Sequence, residues 1–452
     1  MFNDNFQNSS VQRIFISIES KQLIGLSLWP NTQIMLVFKF GGASVKNADA
    51  VRNVAKIIQG FQKEKIVVVV SAMGKMTNKL EELVLALQNN DEEKRIAVLS
   101  EIHEFHFMIL KDLFDLSNRE AYDYFSDVMN SLIQACDKAS ELTPSMAYDA
   151  IVPFGEILST TIVSRYLGEF LTCAHIDASS LIVTDSKFKS ATVDMKFTEQ
   201  NIRKEVSEIF NECNIVVTQG FIGADTQKNR TTLGREGSDY TGAIFAYCLN
   251  AKSLTIWKDV DGMFNADPKA FPKAQKIDEV SYKDAIELSY YGASVIHPKT
   301  IQPLQNKNIP LYVKSFLNPS ESGTVIQKDA INKIPFYIIK KHQVLVSLSS
   351  KDFSFIAERH LSEIFGAFDD LDMKINIMQN SAVNFSALFD EKQFNEKAVM
   401  NQFGEKYSVL YNLNLELVTI RQYNEAIIDE LTRGKEILLE QRTRETVRFV
   451  VR

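Results

Sequence analysis

The stretch richest in chemistry is Gly234-Arg235-Glu236-Gly237-Ser238-Asp239, inside TTLGREGSDYTGA (residues 231–243). It leads into an apolar helical pattern over Tyr240–Leu249. A helix start presents unpaired backbone N–H donors. Here it also brings a guanidinium, which can hold a carboxylate bidentately, and a carboxylate able to orient a lysine or a metal. A purely structural loop rarely needs all of these. TQGFIG (218–223) lies just upstream. KFGGASV (39–45) leaves the apolar run Met35–Phe38 through a lysine, two glycines and a serine. Two readings compete for it. One is a strand-to-helix turn, since glycine tolerates backbone angles other residues avoid. The other is a phosphate cradle, where backbone N–H groups reach an anion.

Further segments carry the same double meaning. SAMGKMTN (71–78) is either a ligand-binding strand end or a polar helix start. PFGE (153–156) places a carboxylate after a turn and ahead of an apolar helix. IWKDVDGMFNADP (256–268) leaves a strand into a loop with three aspartates and a lysine. That loop suits either solvated turns or a nucleotide's ribose and phosphates. YYGASVIHPKT (290–300) reads as a helix end at Gly292 followed by a strand-like Val-Ile.

The elements that must position these groups follow from hydrophobic period. Val51, Val54, Ala55 and Ile58 share one helical face over 48–58, with Asp49 in the first turn. Ile66–Val70 is a continuous β-branched run, the mark of a strand buried on both faces. Residues 79–170 read mostly as helices, interrupted near Pro144 and Pro153. Strands return at 215–217, 254–256 and 311–313 with helices between them. This alternation predicts an α/β fold with a mainly parallel sheet sandwiched by helices. After about residue 330 the texture changes. Strands over 343–348, 373–378, 383–389, 415–420 and 446–451, with helices over 355–368 and 425–433, predict two small βαββ-type α+β units.

Composition narrows the function. The 452 residues suggest two or three domains, and a net charge of -7 disfavours a nucleic-acid partner. The four cysteines form no CxxC pair, which suggests a reducing, cytoplasmic setting and neither a disulfide framework nor zinc. His103 and His106 lie three apart without a third ligand in view, and no metal ligand is assigned. Charged residues interrupt the apolar pattern of the first 34 residues, so no membrane span is expected there. That segment reads as a disordered tail or as sequence from a mis-assigned start.

In this order, KFGGASV, SAMGKMTN, PFGE, TQGFIG, TTLGREGSDYT, WKDVDG…ADP and YYGASVIHPKT resemble the aspartate kinases. These have the amino-acid kinase fold with paired ACT domains. The motifs cover residues 35 to about 315; FSFIAERHLSEIFGAF, INIMQNSAVNFSALFD and EQRTRETVRFVV look like the family's regulatory portion. The resemblance implies a catalytic domain over 35–330 and paired ACT-like domains over 331–452. The length leaves no room for a fused homoserine dehydrogenase, so a monofunctional enzyme is expected. The implied reaction moves the γ-phosphoryl group of ATP, with Mg²⁺, to the side-chain carboxylate of L-aspartate. The products would be 4-phospho-L-aspartate and ADP.

The resemblance also assigns residues. Lys39 would act on the transferring phosphoryl group, oriented by Asp239. Gly41, Gly42 and Ser44 would surround the phosphates. Thr77, Glu156, Arg235 and Ser238 would bind aspartate, with Arg235 on a carboxylate and Glu156 facing the ammonium. Lys258, Asp259, Phe264 and Lys269 would hold the nucleotide. Asn376 and Ser381 would belong to a regulatory site for an amino-acid effector, lysine or threonine. A homodimer or higher homo-oligomer pairing ACT units is expected. There are departures. Glu236 stands where many relatives have glycine, Lys258 replaces a common threonine, and Phe264 and Lys269 replace a common tyrosine and arginine. Ser294 replaces a lysine that reaches ATP, and Lys258 is expected to supply that charge from another position. Asn376 replaces the aspartate frequent in lysine-inhibited relatives. Two rivals remain, another acidic amino-acid kinase and a catalytically dead amino-acid sensor. The order of the motifs and the intact Lys39, Arg235 and Asp239 weigh against them.

Overall fold

The structure is a computed structural model, and it describes residues 11–12, 34–292, 296–330 and 334–452. Two compact units divide the chain. The first holds most of residues 1–332, and the second takes in 264–275, 290–293 and 333–452.

The first unit is built on a nine-stranded sheet. Six neighbouring strands run parallel, in the order Cys173–Ile176, Ile215–Gln219, Lys65–Val70, Met35–Phe40, Ser253–Lys258 and Leu311–Ser315. The central strands Ile215–Gln219, Lys65–Val70, Met35–Phe40 and Ser253–Lys258 are buried on both faces along almost their whole length, which suits their largely apolar sequences, whereas Leu311–Ser315 alternates buried and half-buried residues. Thr324–Gln327 and Glu279–Ser281 extend one edge, and Val11–Gln12 pairs antiparallel with Cys173–Ile176 at the other. Strand alternation gives Met35–Phe40 two different faces. Phe38 and Phe40 enter a large core shared with the helices Ala48–Gln59, Met76–Gln88, Glu92–Leu113 and Phe154–Gly168. Trp257 stacks on Phe40 within it, ring centroids 6.0 Å apart. Lys39 points the other way, toward the helix Gly237–Leu249. A Cβ on Gly242 would lie 3.5 Å from Lys39 Cβ and 3.1 Å from Leu254 Cδ1, so glycine lets that helix approach the sheet closely.

The second unit contains one six-stranded antiparallel sheet. Two strands of 15 residues, Phe336–Ser350 and Tyr407–Arg421, pair along their length and are longer than the periodicity predicts. Register shifts between Lys340 and Leu345 break the alternation that marks a single strand. The strand expected over 373–378 is shifted toward the carboxyl end, to Ile377–Asn380. A helix over Glu396–Phe403 was not expected, although Asn395 caps it through Ala398 N at 3.2 Å.

Candidate active site

Four adjacent parallel strands bring their carboxyl ends to one edge of the sheet, the place where open α/β sheets bind ligands. A cavity of about 580 Å³ lies there. Lys39, Thr77, Glu156, Arg235, Ser238, Asp239 and Lys258 all line it, together with Gly42. Motifs as far apart in the chain as Lys39 and Lys258 thus meet at one cavity.

Asp239 is the electrostatic centre of the site. It is 3% exposed in the first turn of Gly237–Leu249. Its Oδ1 lies 2.6 Å from Lys39 Nζ and its Oδ2 lies 3.4 Å from Lys258 Nζ. Burial pushes its carboxyl up, but the charges of Lys39 and Lys258 outweigh that and hold it below the ordinary range. Two ammonium groups from neighbouring strands are thereby fixed beside the cavity. Lys258 ends a strand and its side chain is 22% exposed, so it is not the solvated loop lysine its Asp-rich surroundings could suggest.

Glu156 is buried in the helix Phe154–Gly168. Its Oε1 accepts from Ala72 N at 3.1 Å, while Oε2 has no protein partner. Burial pushes its carboxyl up to about 8. Gly155 permits this approach, since a Cβ there would stand 2.8 Å from Ala72 Cβ. Gly42 does the same for the cradle: a Cβ would meet the carbonyls of Gly74 and Ala72 at 2.7 and 2.8 Å. Gly220 makes room for Ser238, whose Oγ would lie 2.6 Å from an added Cβ.

Glu236, in place of glycine, adopts the left-handed region with φ = +53°. This explains why glycine suits the position. The strain is offset because Glu236 Oε2 accepts from His297 N at 3.1 Å, at the start of the helix Pro298–Lys307. Arg235 sits exposed on the resulting loop.

Other expected residues lie elsewhere. Ser44 is fully buried and its hydroxyl donates to Trp257 O at 3.3 Å, so it braces the turn. Neither Ser44, Gly41 nor Asp259 lines the cavity, and Asp259 is exposed just beyond Lys258. Phe264, half-buried, and Lys269, exposed, belong to the second unit. Ser294 lies outside the described residues, as do residues 1–10 and 13–33 of the expected tail. Glu81, Tyr148 and Lys189 also line the cavity and were not anticipated.

In the second unit, Asn376 Nδ2 donates to Gln343 Oε1 at 2.8 Å and Asp390 Oδ1 at 3.1 Å, while its Oδ1 accepts from Lys340 Nζ at 3.1 Å. Gln343, Asp390 and Lys340 line a cavity of about 550 Å³. Ser381 closes the turn between Ile377–Asn380 and Asn384–Asp390 through Asn384 N and O. Among the described residues no three His, Cys, Asp or Glu cluster as metal ligands, and no helix is long and apolar enough to cross a membrane. All four cysteines are buried and unpaired.

The cavity thus gathers lysines and a helix start at the carboxyl edge of a parallel sheet, a combination able to hold an anion. The chain belongs to the amino acid kinase family, whose sequence profile matches residues 35–315. Within that family its similarity is to aspartokinases. It is 30% identical to chloroplastic aspartokinase 2 of Arabidopsis thaliana over 388 residues, 82% of this chain and 69% of that protein. It is 28% identical over 418 residues to the chloroplastic bifunctional aspartokinase/homoserine dehydrogenase 2 of the same plant, covering 89% of this chain and 45% of the relative. The chain therefore spans less than half of that bifunctional protein. Aspartokinase III of E. coli is similar in two solved states. Its complex with lysine and aspartate (T-state) gives a TM-score of 0.79 at 25% identity, and its complex with aspartate and ADP (R-state) gives 0.76 at 26%. Both alignments cover 92% of this chain and 96% of the other.

Proposed function

We propose that the chain is an aspartate kinase, transferring the γ-phosphoryl group of Mg-ATP to the side-chain carboxylate of L-aspartate. The observation that carries this is the Lys39–Asp239–Lys258 cluster facing buried Glu156 across one cavity. Phosphoryl transfer needs positioning and charge neutralisation more than covalent help. Lys39 stabilises negative charge on the transferring group, and the Gly42 backbone leaves it room. Gly41, Asp259, Phe264 and Lys269 are assigned to the nucleotide by resemblance alone. Arg235, Thr77 and Ser238 hold aspartate, whose carboxylate is ionised at neutral pH and needs no general base. Asp239 is occupied by two lysines, so Mg²⁺ enters with the nucleotide rather than on a protein cage. The second unit takes an amino-acid effector, lysine or threonine, beside Asn376, and the chain works as a homo-oligomer in a reducing compartment. The test is formation of a hydroxamate-trappable acyl phosphate from L-aspartate and Mg-ATP. Reaction with glutamate or acetylglutamate instead would refute it, as would no reaction.

Glu156 makes the reading testable by pH. In the free protein it keeps its proton up to about pH 8. An ammonium beside Oε2 favours the ionised form, so binding expels that proton. L-aspartate binding at pH 7 is therefore expected to release about one proton. Affinity should rise about tenfold per pH unit up to that pKa and then level off. Calorimetry in buffers of different ionisation enthalpy measures the release, and Glu156→Gln should abolish it. A wild-type protein that binds without releasing a proton would take Glu156 off the ammonium.

Lys258→Thr is expected to weaken Mg-ATP binding by about 1–3 kcal/mol, the worth of one charge-assisted contact. Adding Ser294→Lys should recover much of this if the ammonium has moved from one backbone position to the other. Additive effects in the double variant would dispose of that compensation.

A further inference from the structure

Glu81, Tyr148 and Lys189 line the same cavity but have no part in the scheme above. Glu81 lies one turn beyond Thr77 on Met76–Gln88, and Tyr148 lies on Pro144–Ile151. Tyr148 Oη donates to Glu81 Oε1 at 2.8 Å, which fixes the ring. Lys189 Nζ stands over that ring, 4.8 Å from its centroid. This is within cation–π range.

The backbone of Lys189 is held there against strain. Its φ is +70°, a region that non-glycine residues seldom occupy. Buried Asp149 accepts from Lys189 N with both carboxylate oxygens, at 3.1 Å each. The same carboxylate accepts from Thr232 N at 2.9 Å and Thr232 Oγ1 at 2.8 Å. Thr232 leads through Leu233 and Gly234 to Arg235, so Asp149 ties Lys189 to the arginine loop. The two loops touch: a Cβ on Gly234 would lie 3.4 Å from Lys189 O. A glycine at 189 would satisfy this backbone with less strain, so the side chain needs a separate reason.

Charge supplies one. Lys39 and Lys258 are both paired to Asp239, whereas among the described residues neither Lys189 nor Arg235 has an ion-pair partner. Aspartate brings an ammonium for Glu156, a reacting carboxylate for the Lys39 end, and a second carboxylate. We propose that Lys189 joins Arg235 in holding that second, non-reacting carboxylate, and so helps the cavity select dicarboxylic amino acids. This rests on the aspartate kinase reading.

The experiment compares Lys189→Gly and Lys189→Arg with the wild-type chain. Lys189→Gly removes the charge and relieves the backbone, so its melting temperature should not fall. Its KM for L-aspartate should rise about tenfold or more, with kcat and the KM for Mg-ATP changed less than about threefold. Lys189→Arg should restore most of the affinity. The decisive probe is L-aspartate α-amide, which keeps the ammonium and the reacting carboxylate but lacks the second charge. Its inhibition constant should change less than about twofold in Lys189→Gly. Equal weakening of amide and aspartate, or a wild-type KM in Lys189→Gly, overturns the assignment. A wild-type chain inactive on L-aspartate overturns it together with the activity, whereas an active chain with unchanged discrimination overturns this step alone.

Discussion

Lys39→Met is expected to fold and to lose about a hundredfold or more in kcat, because an oriented charge on a transferring group is worth several kcal/mol. The fold should survive for a local reason. The Lys39 stem packs beside Gly242, and methionine retains most of that aliphatic volume. Asp239 would keep Lys258 at 3.4 Å and so would not be left as an isolated buried charge. Lys258 cannot take over catalysis, because it projects from the neighbouring strand. Steady-state rates with the melting temperature as a control measure this. A variant within about threefold of wild type would remove Lys39 from the chemistry.

The readable parts of this site were those where local sequence carries both the backbone and the chemistry. Lys39 follows a buried strand and precedes two glycines; Asp239 follows Arg235 and opens an apolar helix. Each motif states its own geometry, and the parallel sheet brings their ends together. The Glu81–Tyr148–Lys189 wall left no such trace. Glu81 and Tyr148 are 67 residues apart and sit on amphipathic helices where a polar residue reads as solvated surface. Only the tertiary fold turns them inward. Asp149 likewise looks like an ordinary helical aspartate until its four hydrogen bonds, two from Lys189 N and two from Thr232 at the end of the strand Arg230–Thr232, are seen. In the second unit, the bulge around His342, with φ = +54°, disguised one long strand as a short one. Alternation identifies a strand only while the pleat stays in register.

Asp239→Asn is expected to separate binding from catalysis. The substitution leaves two lysines, one at 2.6 Å and one at 3.4 Å from the former carboxylate, facing each other without an anion. Removing one partner from a buried ion pair costs about 3–5 kcal/mol. The lower end applies here, because the Lys258 side chain is 22% exposed rather than fully buried. The acid limb of stability should change as well. The Asp239 carboxyl is held below its ordinary 3.8, so it contributes stability above that pH which is lost as pH falls. The asparagine variant should lack this part of the acid transition. A bound nucleotide would partly replace the missing anion, since its phosphates meet two uncompensated ammonium groups. The rise in melting temperature on adding Mg-ATP should therefore be larger in Asp239→Asn than in wild type. Lys39 would meanwhile lose the partner that aims it, and kcat should fall about a hundredfold. An unchanged kcat would show that Asp239 does not orient Lys39. A smaller nucleotide-induced shift than in wild type would show that the two lysines do not face the phosphates.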